Sequence, residues 1–143
     1  MLGNIRITGD EMKFIQLLQN ITGATVMDCI VEGDSIIFTV KKGEIGLAVG
    51  KGGEKIKRIR ALTNKQVEVY EYVEDPDMFL RGAMRPAKVN DVRIVDRGLG
   101  GKIAMITIEA KDKGIAIGRN GENIKRIRFL AKRYFEFENV VVS

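Results

Sequence analysis

The sequence has no histidine, a single cysteine and no long apolar run, and each shortage closes off a class of function. Without histidine the chain has no side chain whose ordinary pKa suits it to general acid–base work near neutrality, and the one thiol, Cys29, has no imidazole to activate it. One cysteine cannot make a disulfide or a cysteine metal site within the chain, so Cys29, set between apolar neighbours in a β-rich run, is expected to be a buried structural thiol. The carboxylates Glu71, Glu74, Asp75 and Asp77 cluster in a short acidic connector and read as solvated charge. A phosphate loop would need Gly at position 45 and Ser or Thr at position 52, where the chain has Ile45 and Gly52. An enzyme, including a small nucleotide-dependent one, therefore lacks its parts, and neither cofactor nor metal is expected. The apolar runs around Ile36 to Phe38 and Ile103 to Ile106 fall far short of the roughly 20 residues that span a bilayer. The opening MLGNIRI also lacks the charged-then-apolar layout of a signal peptide, so a cytoplasmic protein with no membrane partner is expected. With 45% hydrophobic and 30% charged residues and no low-complexity tract, the composition is that of an ordinary globular chain.

What the sequence does have is a repeat. GLAVGKGGEKIKRIRAL at 46–62 returns as GIAIGRNGENIKRIRFL at 114–130, an offset of 68 positions with eleven identities in seventeen. The 143 residues divide accordingly into two units, 1–74 and 75–143, each near the lower limit for independent folding. The net charge of +5 gathers beside the repeat. Lys51, Lys55, Lys57, Arg58 and Arg60 against Glu54 make a local +4, and Arg119, Lys125, Arg126 and Arg128 against Glu122 a local +3, which leaves the remainder of the chain at −2. Basic charge concentrated at two glycine-rich turns is the electrostatic footprint of a polyanion binder, although solvated helix faces can carry the same charge.

The order of elements is the same in both units. Thr8 and Glu11 are spaced as a capping box, and Phe14, Leu17, Leu18 and Ile21 recur at helical intervals up to Gly23. Strands over 26–31 and 35–41 meet at Gly33-Asp34, a dipeptide suited to a tight hairpin. A short helix over 44–49, the turn 50–53, a longer helix over 54–62 and a strand over 66–72 complete the unit. In the second, Asp75-Pro76 starts a helix whose apolar face is Met78, Phe79 and Met84 and which Arg85-Pro86 ends. Strands over 89–95 and 102–110, joined by the loop 96–101, are followed by a helix, the turn 118–121, a helix and a last strand over 134–142. The connector Val73 to Asp77 is short and acidic, so the two units are expected to be held close rather than flexibly tethered.

A turn that lets a sugar-phosphate chain approach its backbone needs residues without Cβ, which Gly50, Gly53, Gly118 and Gly121 supply. Amides at the start of the next helix favour phosphate, and Lys51 or Arg119 adds a full charge at the tip. Ile56, Ile59 and Leu62, matched by Ile124, Ile127 and Leu130, make the core stripe of that helix, which sends Lys57, Arg58, Arg60, Lys125, Arg126 and Arg128 outward or along its edges.

AVGKGGEKI at 48–56 and AIGRNGENI at 116–124 resemble the signature of KH RNA-binding domains. The element order resembles the type II, prokaryotic KH topology, and two such units in tandem resemble the KH pair of NusA transcription factors, above all the short archaeal form. The resemblance covers nearly the whole chain. It implies an α+β fold of two tandem type II KH domains, each a three-stranded sheet with three helices packed on one face. It also implies single-stranded RNA binding in the cleft beside each turn, through Gly50, Lys51, Gly52, Gly53, Lys57 and Arg58 and through Gly118, Arg119, Asn120, Gly121, Lys125 and Arg126. The role implied is in transcription termination or antitermination, with RNA polymerase or other transcription factors as candidate partners and a monomer as the expected state. Bacterial NusA also carries polymerase-binding and S1 domains, which these 143 residues are not expected to include, and Asn120 replaces Gly52 in the second turn.

Two further readings stay open: a ribosome-associated or ribosome-biogenesis KH protein, and a KH-like protein-interaction scaffold, against which Lys51 and Arg119 speak. The nine aromatics suggest a stacking sheet, but at the 68-residue offset Phe135 and Phe137 align with Val67 and Val69 and so read as core. Tyr70 and Tyr72 read as half-exposed.

Overall fold

Helical periodicity at the N-terminus, two β-rich runs, and glycines at several of the changes of direction build a three-stranded sheet covered by helices, and the order then repeats. The computed structural model describes residues 9–143. Thr8, the first half of the expected capping box, lies outside the described residues. The chain forms two compact units, the first ending at Val73 and the second running Glu74–Ser143.

In the first unit α1 (Gly9–Thr22) buries Ile15 and Leu18 and half-buries Phe14, Leu17 and Ile21. It ends where the Gly23 N–H bonds the Gln19 carbonyl at 2.8 Å, Gly23 taking φ +74. Strands β1 (Val26–Glu32) and β2 (Ser35–Val40) pair antiparallel. The chain then passes through α2 (Ile45–Val49), a single 3₁₀ turn (Lys51–Gly53) and α3 (Glu54–Thr63) to β3 (Gln66–Glu71), which lies parallel to β2. The sheet order is β1-β2-β3. Ile36, Phe38 and Val40 from the central strand meet Leu18, Ala48, Ile59 and Val67 in the core. Cys29 sits in this cluster, and burial first, then the charges of Glu11 and Asp28, push its thiol up from 9.0 to about 12.

The second unit has α4 (Pro76–Ala83), β4 (Val89–Asp96), β5 (Lys102–Ile108), α5 (Lys113–Ile117), α6 (Glu122–Phe135) and β6 (Phe137–Val142). Its sheet is β4-β5-β6, again antiparallel then parallel. A carboxylate ties each unit together in the same way. Glu44 accepts the Thr25 N–H at 2.6 Å, and Asp112 accepts the Lys88 N–H at 2.9 Å, so the segment entering the short helix is fixed to the start of the first strand.

Five expectations need correction. Leu62 is 59% exposed, whereas its counterpart Leu130 is fully buried. The cause is length: α3 stops at Thr63, while α6 runs one further turn to Phe135 and places Ala131, Tyr134 and Phe135 in the core, with Tyr134 and Phe135 edge-on to Phe79. The last strand consequently starts at Phe137 rather than Tyr134. The left-handed residues that end the two helices, Asn64 and Glu136, stand 72 apart, so Phe135 and Phe137 do not correspond to Val67 and Val69, although both are buried. Tyr70 is buried rather than half-exposed, and the apolar face of α4 is Phe79, Leu80 and Met84, with Met78 turned to solvent.

Candidate nucleic-acid interface

The two glycine turns have the same backbone. Gly50 has φ 80, ψ 168 and Gly118 has φ 80, ψ 172, a region open only to glycine. A Cβ on Gly50 would stand 2.8 Å from Lys55 Cγ, and one on Gly118 2.7 Å from Asn123 Cβ and 2.9 Å from the Asn123 backbone nitrogen. Each of these glycines donates its N–H back into the preceding helix, to Gly46 or Gly114, at 2.9 Å. The turn is then closed by the N–H of Gly53 or Gly121 on the carbonyl of Gly50 or Gly118 at 3.1 Å. At the third position Gly52 has φ 63 and Asn120 φ 55. Asn is among the few residues that enter the left-handed region readily, so the one change inside the second motif leaves its shape intact.

Lys51 and Arg119 are exposed at the tips, and Lys57, Arg58 and Lys125 are exposed on the first turns of α3 and α6. Arg126 differs from Arg58. It is partly buried, with its Nη2–H donating to Asn123 Oδ1 at 3.2 Å and its Nη1 standing 4.0 Å from Glu122 Oε2. Asn123 in turn donates to the Ala116 carbonyl at 2.9 Å, bracing the end of α5 against α6. The first unit has Lys55 at that position. The second site thus keeps its loop cation but draws one helix cation into the fold.

Two pairs of residues take positions that the sequence pattern left open. Arg60 donates through Nε and Nη2 to the Val67 carbonyl at 3.3 and 2.8 Å, and Arg128 through Nε to the Val140 carbonyl at 2.9 Å. These arginines lock the long helix to the last strand, so part of the basic run is structural. Leu47 and Ile115, at matching positions of α2 and α5, are exposed because the buried side of each short helix is taken by Ala48 or Ala116. An exposed aliphatic side chain one turn before each glycine turn, present in both copies of the repeat, was the signal. Among the described residues no group of three metal-ligating side chains comes together, and no helix is long and apolar enough to cross a membrane.

Comparison with known proteins places the chain in a family. A KH domain model matches residues 15–94, and a model of the NusA-like second KH domain matches residues 76–140. The chain is similar to a protein of Halococcus morrhuae named probable transcription termination protein NusA, with 30% identity over 97% of this chain and 99% of the relative. A protein of the same name from Methanocaldococcus jannaschii is 29% identical over 99% of this chain and 76% of its own length. The crystal structure of APE1850 is 36% identical and superposes with a TM-score of 0.81, covering 96% of this chain and all of that one.

Proposed function

The chain belongs to the KH family in its NusA-like tandem form, and from that membership we propose that it binds single-stranded RNA and acts in transcription termination or antitermination. The observation that carries this reading is the pair of glycine turns with one backbone geometry, each tipped by an exposed cation and followed by a helix that exposes further cations. Each unit is read as one KH domain, 1–74 and 75–143. The phosphates lie along Gly50, Lys51, Gly52 and Gly53, and along Gly118, Arg119, Asn120 and Gly121, close to the turn backbone. Lys57 and Arg58 in the first domain, and Lys125 in the second, neutralise neighbouring phosphates, while Arg126 contributes from a braced position. The bases turn toward the aliphatic side chains Leu47 and Ile115.

The protein is a binding module rather than an enzyme: it recognises nascent RNA, and RNA polymerase or another transcription factor is the partner through which that binding acts. The test is competition. A cleft of about four nucleotides per KH domain excludes duplex, and phosphate neutralisation releases counterions. Single-stranded RNA should therefore displace a labelled single strand where duplex does not, and affinity should fall steeply between about 50 and 200 mM salt. Equal competition by duplex, or affinity indifferent to salt, would overturn the reading.

A further inference from the structure

Nine aromatic residues occur in the chain, all of them among the described residues, and eight are buried or half-buried. Phe129 on α6 is the exception at 42% exposed. Phe79, Tyr134, Phe135 and Phe137 interlock edge to face with centroids 5.4 to 6.4 Å apart, and Phe129 takes no part in that network. At about 100° per residue it points directly away from the buried stripe of Ile124, Ile127, Leu130, Ala131 and Tyr134. Its four neighbours on the helix surface, at three and four residues before and after, are Arg126, Lys125, Lys132 and Arg133, and all are cationic. Lys125 and Lys132 are exposed, while Arg126 and Arg133 are half-buried and also engaged within the fold. The acidic Glu122 and Glu136 lie further off, two turns from Phe129 in either direction.

We propose that Phe129 is a base-stacking platform that extends the RNA track of the second domain along the outer face of α6. The inference rests on the RNA-binding reading above and adds a site to it. An exposed ring flanked by the exposed cations Lys125 and Lys132, with Arg126 and Arg133 adding positive charge from within the fold, suits a ligand that brings an aromatic face and negative charge together, which a nucleotide does. A protein partner would have to cover the same cations with carboxylates. The site is also continuous with the glycine turn: Phe129 stands eight residues beyond Gly121, about 12 Å along the helix axis, with Lys125 between them. The first domain has no equivalent. Ala61 occupies the matching position, and α3 ends two residues later at Thr63. The two domains therefore grip RNA differently, the second holding one base more firmly than the first.

The chain has no tryptophan, so Phe129→Trp introduces a single reporter at the site. With single-stranded RNA of about ten nucleotides, the introduced indole should be quenched on binding, and this variant should keep the parent affinity. Phe129→Ala and Phe129→Leu should each weaken binding about tenfold, because leucine is apolar but offers no face for stacking. Thermal melts of all three variants should match the parent, the position being exposed. Parent affinity in the Ala and Leu variants, with an unquenched indole, would assign the face to a protein partner and overturn the platform while leaving RNA binding by the glycine turns standing. A parent chain that binds no RNA overturns both.

Discussion

Replacing Gly118 by Ala, and separately Gly50 by Ala, tests whether the two turns are held by sterics that differ even though their dihedrals do not. Both glycines occupy a backbone region that costs any other residue roughly 1–3 kcal/mol. Beyond that the two sites part. The new Cβ at position 50 meets Lys55 Cγ at 2.8 Å and Glu54 Cγ at 3.1 Å, which can move aside, and Lys55 Cβ at 3.1 Å, a milder clash with an atom fixed to the helix. At position 118 it meets the Asn123 backbone nitrogen at 2.9 Å and its Cβ at 2.7 Å, which move only if the start of α6 moves. Adding an overpacking cost of about 1–3 kcal/mol to the dihedral cost puts Gly118→Ala near 3–4 kcal/mol, with Gly50→Ala closer to 2. At about 4–8 °C per kcal/mol for a small domain, the second unit should melt roughly 15–25 °C lower and the first roughly 10 °C lower. Melting of the full chain by circular dichroism, with hydrogen exchange to show which unit opens, gives both values. Equal shifts in the two variants, or no shift for Gly118→Ala, would refute the steric argument.

Other outcomes follow from the same structure. Arg128→Ala should destabilise the second unit by about 1–2 kcal/mol, since it removes a charge-assisted bond from a partly buried carbonyl, and lysine should not restore it fully; urea unfolding measures this. Cys29 should resist alkylation in native buffer and react only on unfolding. Because its folded pKa lies above the unfolded one, its contribution to stability is complete below pH 9.0 and is lost as pH rises through about 12, so Cys29→Ala should flatten the alkaline limb of a stability profile. A single RNA long enough to fill both glycine turns should bind far more tightly than one filling a single turn, and inserting about ten Gly and Ser residues between Asp75 and Pro76 should reduce that advantage without weakening the short strand. Titrations of both lengths against both chains decide it.

The glycine turns and the order of helices and strands were legible because they depend on local chemistry: positive φ at glycine or asparagine, apolar spacing, and an internal repeat that reports each element twice. What the repeat hid was its own interruption. Alignment at 68 positions holds through the turn and fails where α6 gains a turn over α3, so the start of the last strand and the pairing of Phe135 and Phe137 with Val67 and Val69 slipped, while their reading as core held. The arginine braces show the true correspondence, since Arg60 and Arg128 are 68 apart while the carbonyls they hold, Val67 and Val140, are 73 apart. Leu62 and Met78 were misread because periodicity gives a face but not what covers it. Arg60 and Arg126 could not be told from free cations by charge alone, because their partners are a backbone carbonyl and an asparagine that only the fold brings near.

The most direct test of the central claim is a titration of single-stranded RNA against a chain carrying Lys51→Asp, Gly52→Asp, Arg119→Asp and Asn120→Asp together. Aspartate tolerates the left-handed conformation of positions 52 and 120, and all four positions are exposed, so circular dichroism and melting should stay close to the parent. With two anions in place of each loop cation, affinity should fall by at least about a hundredfold near physiological salt. A folded variant that binds RNA as the parent does would contradict the claim that these turns hold the RNA.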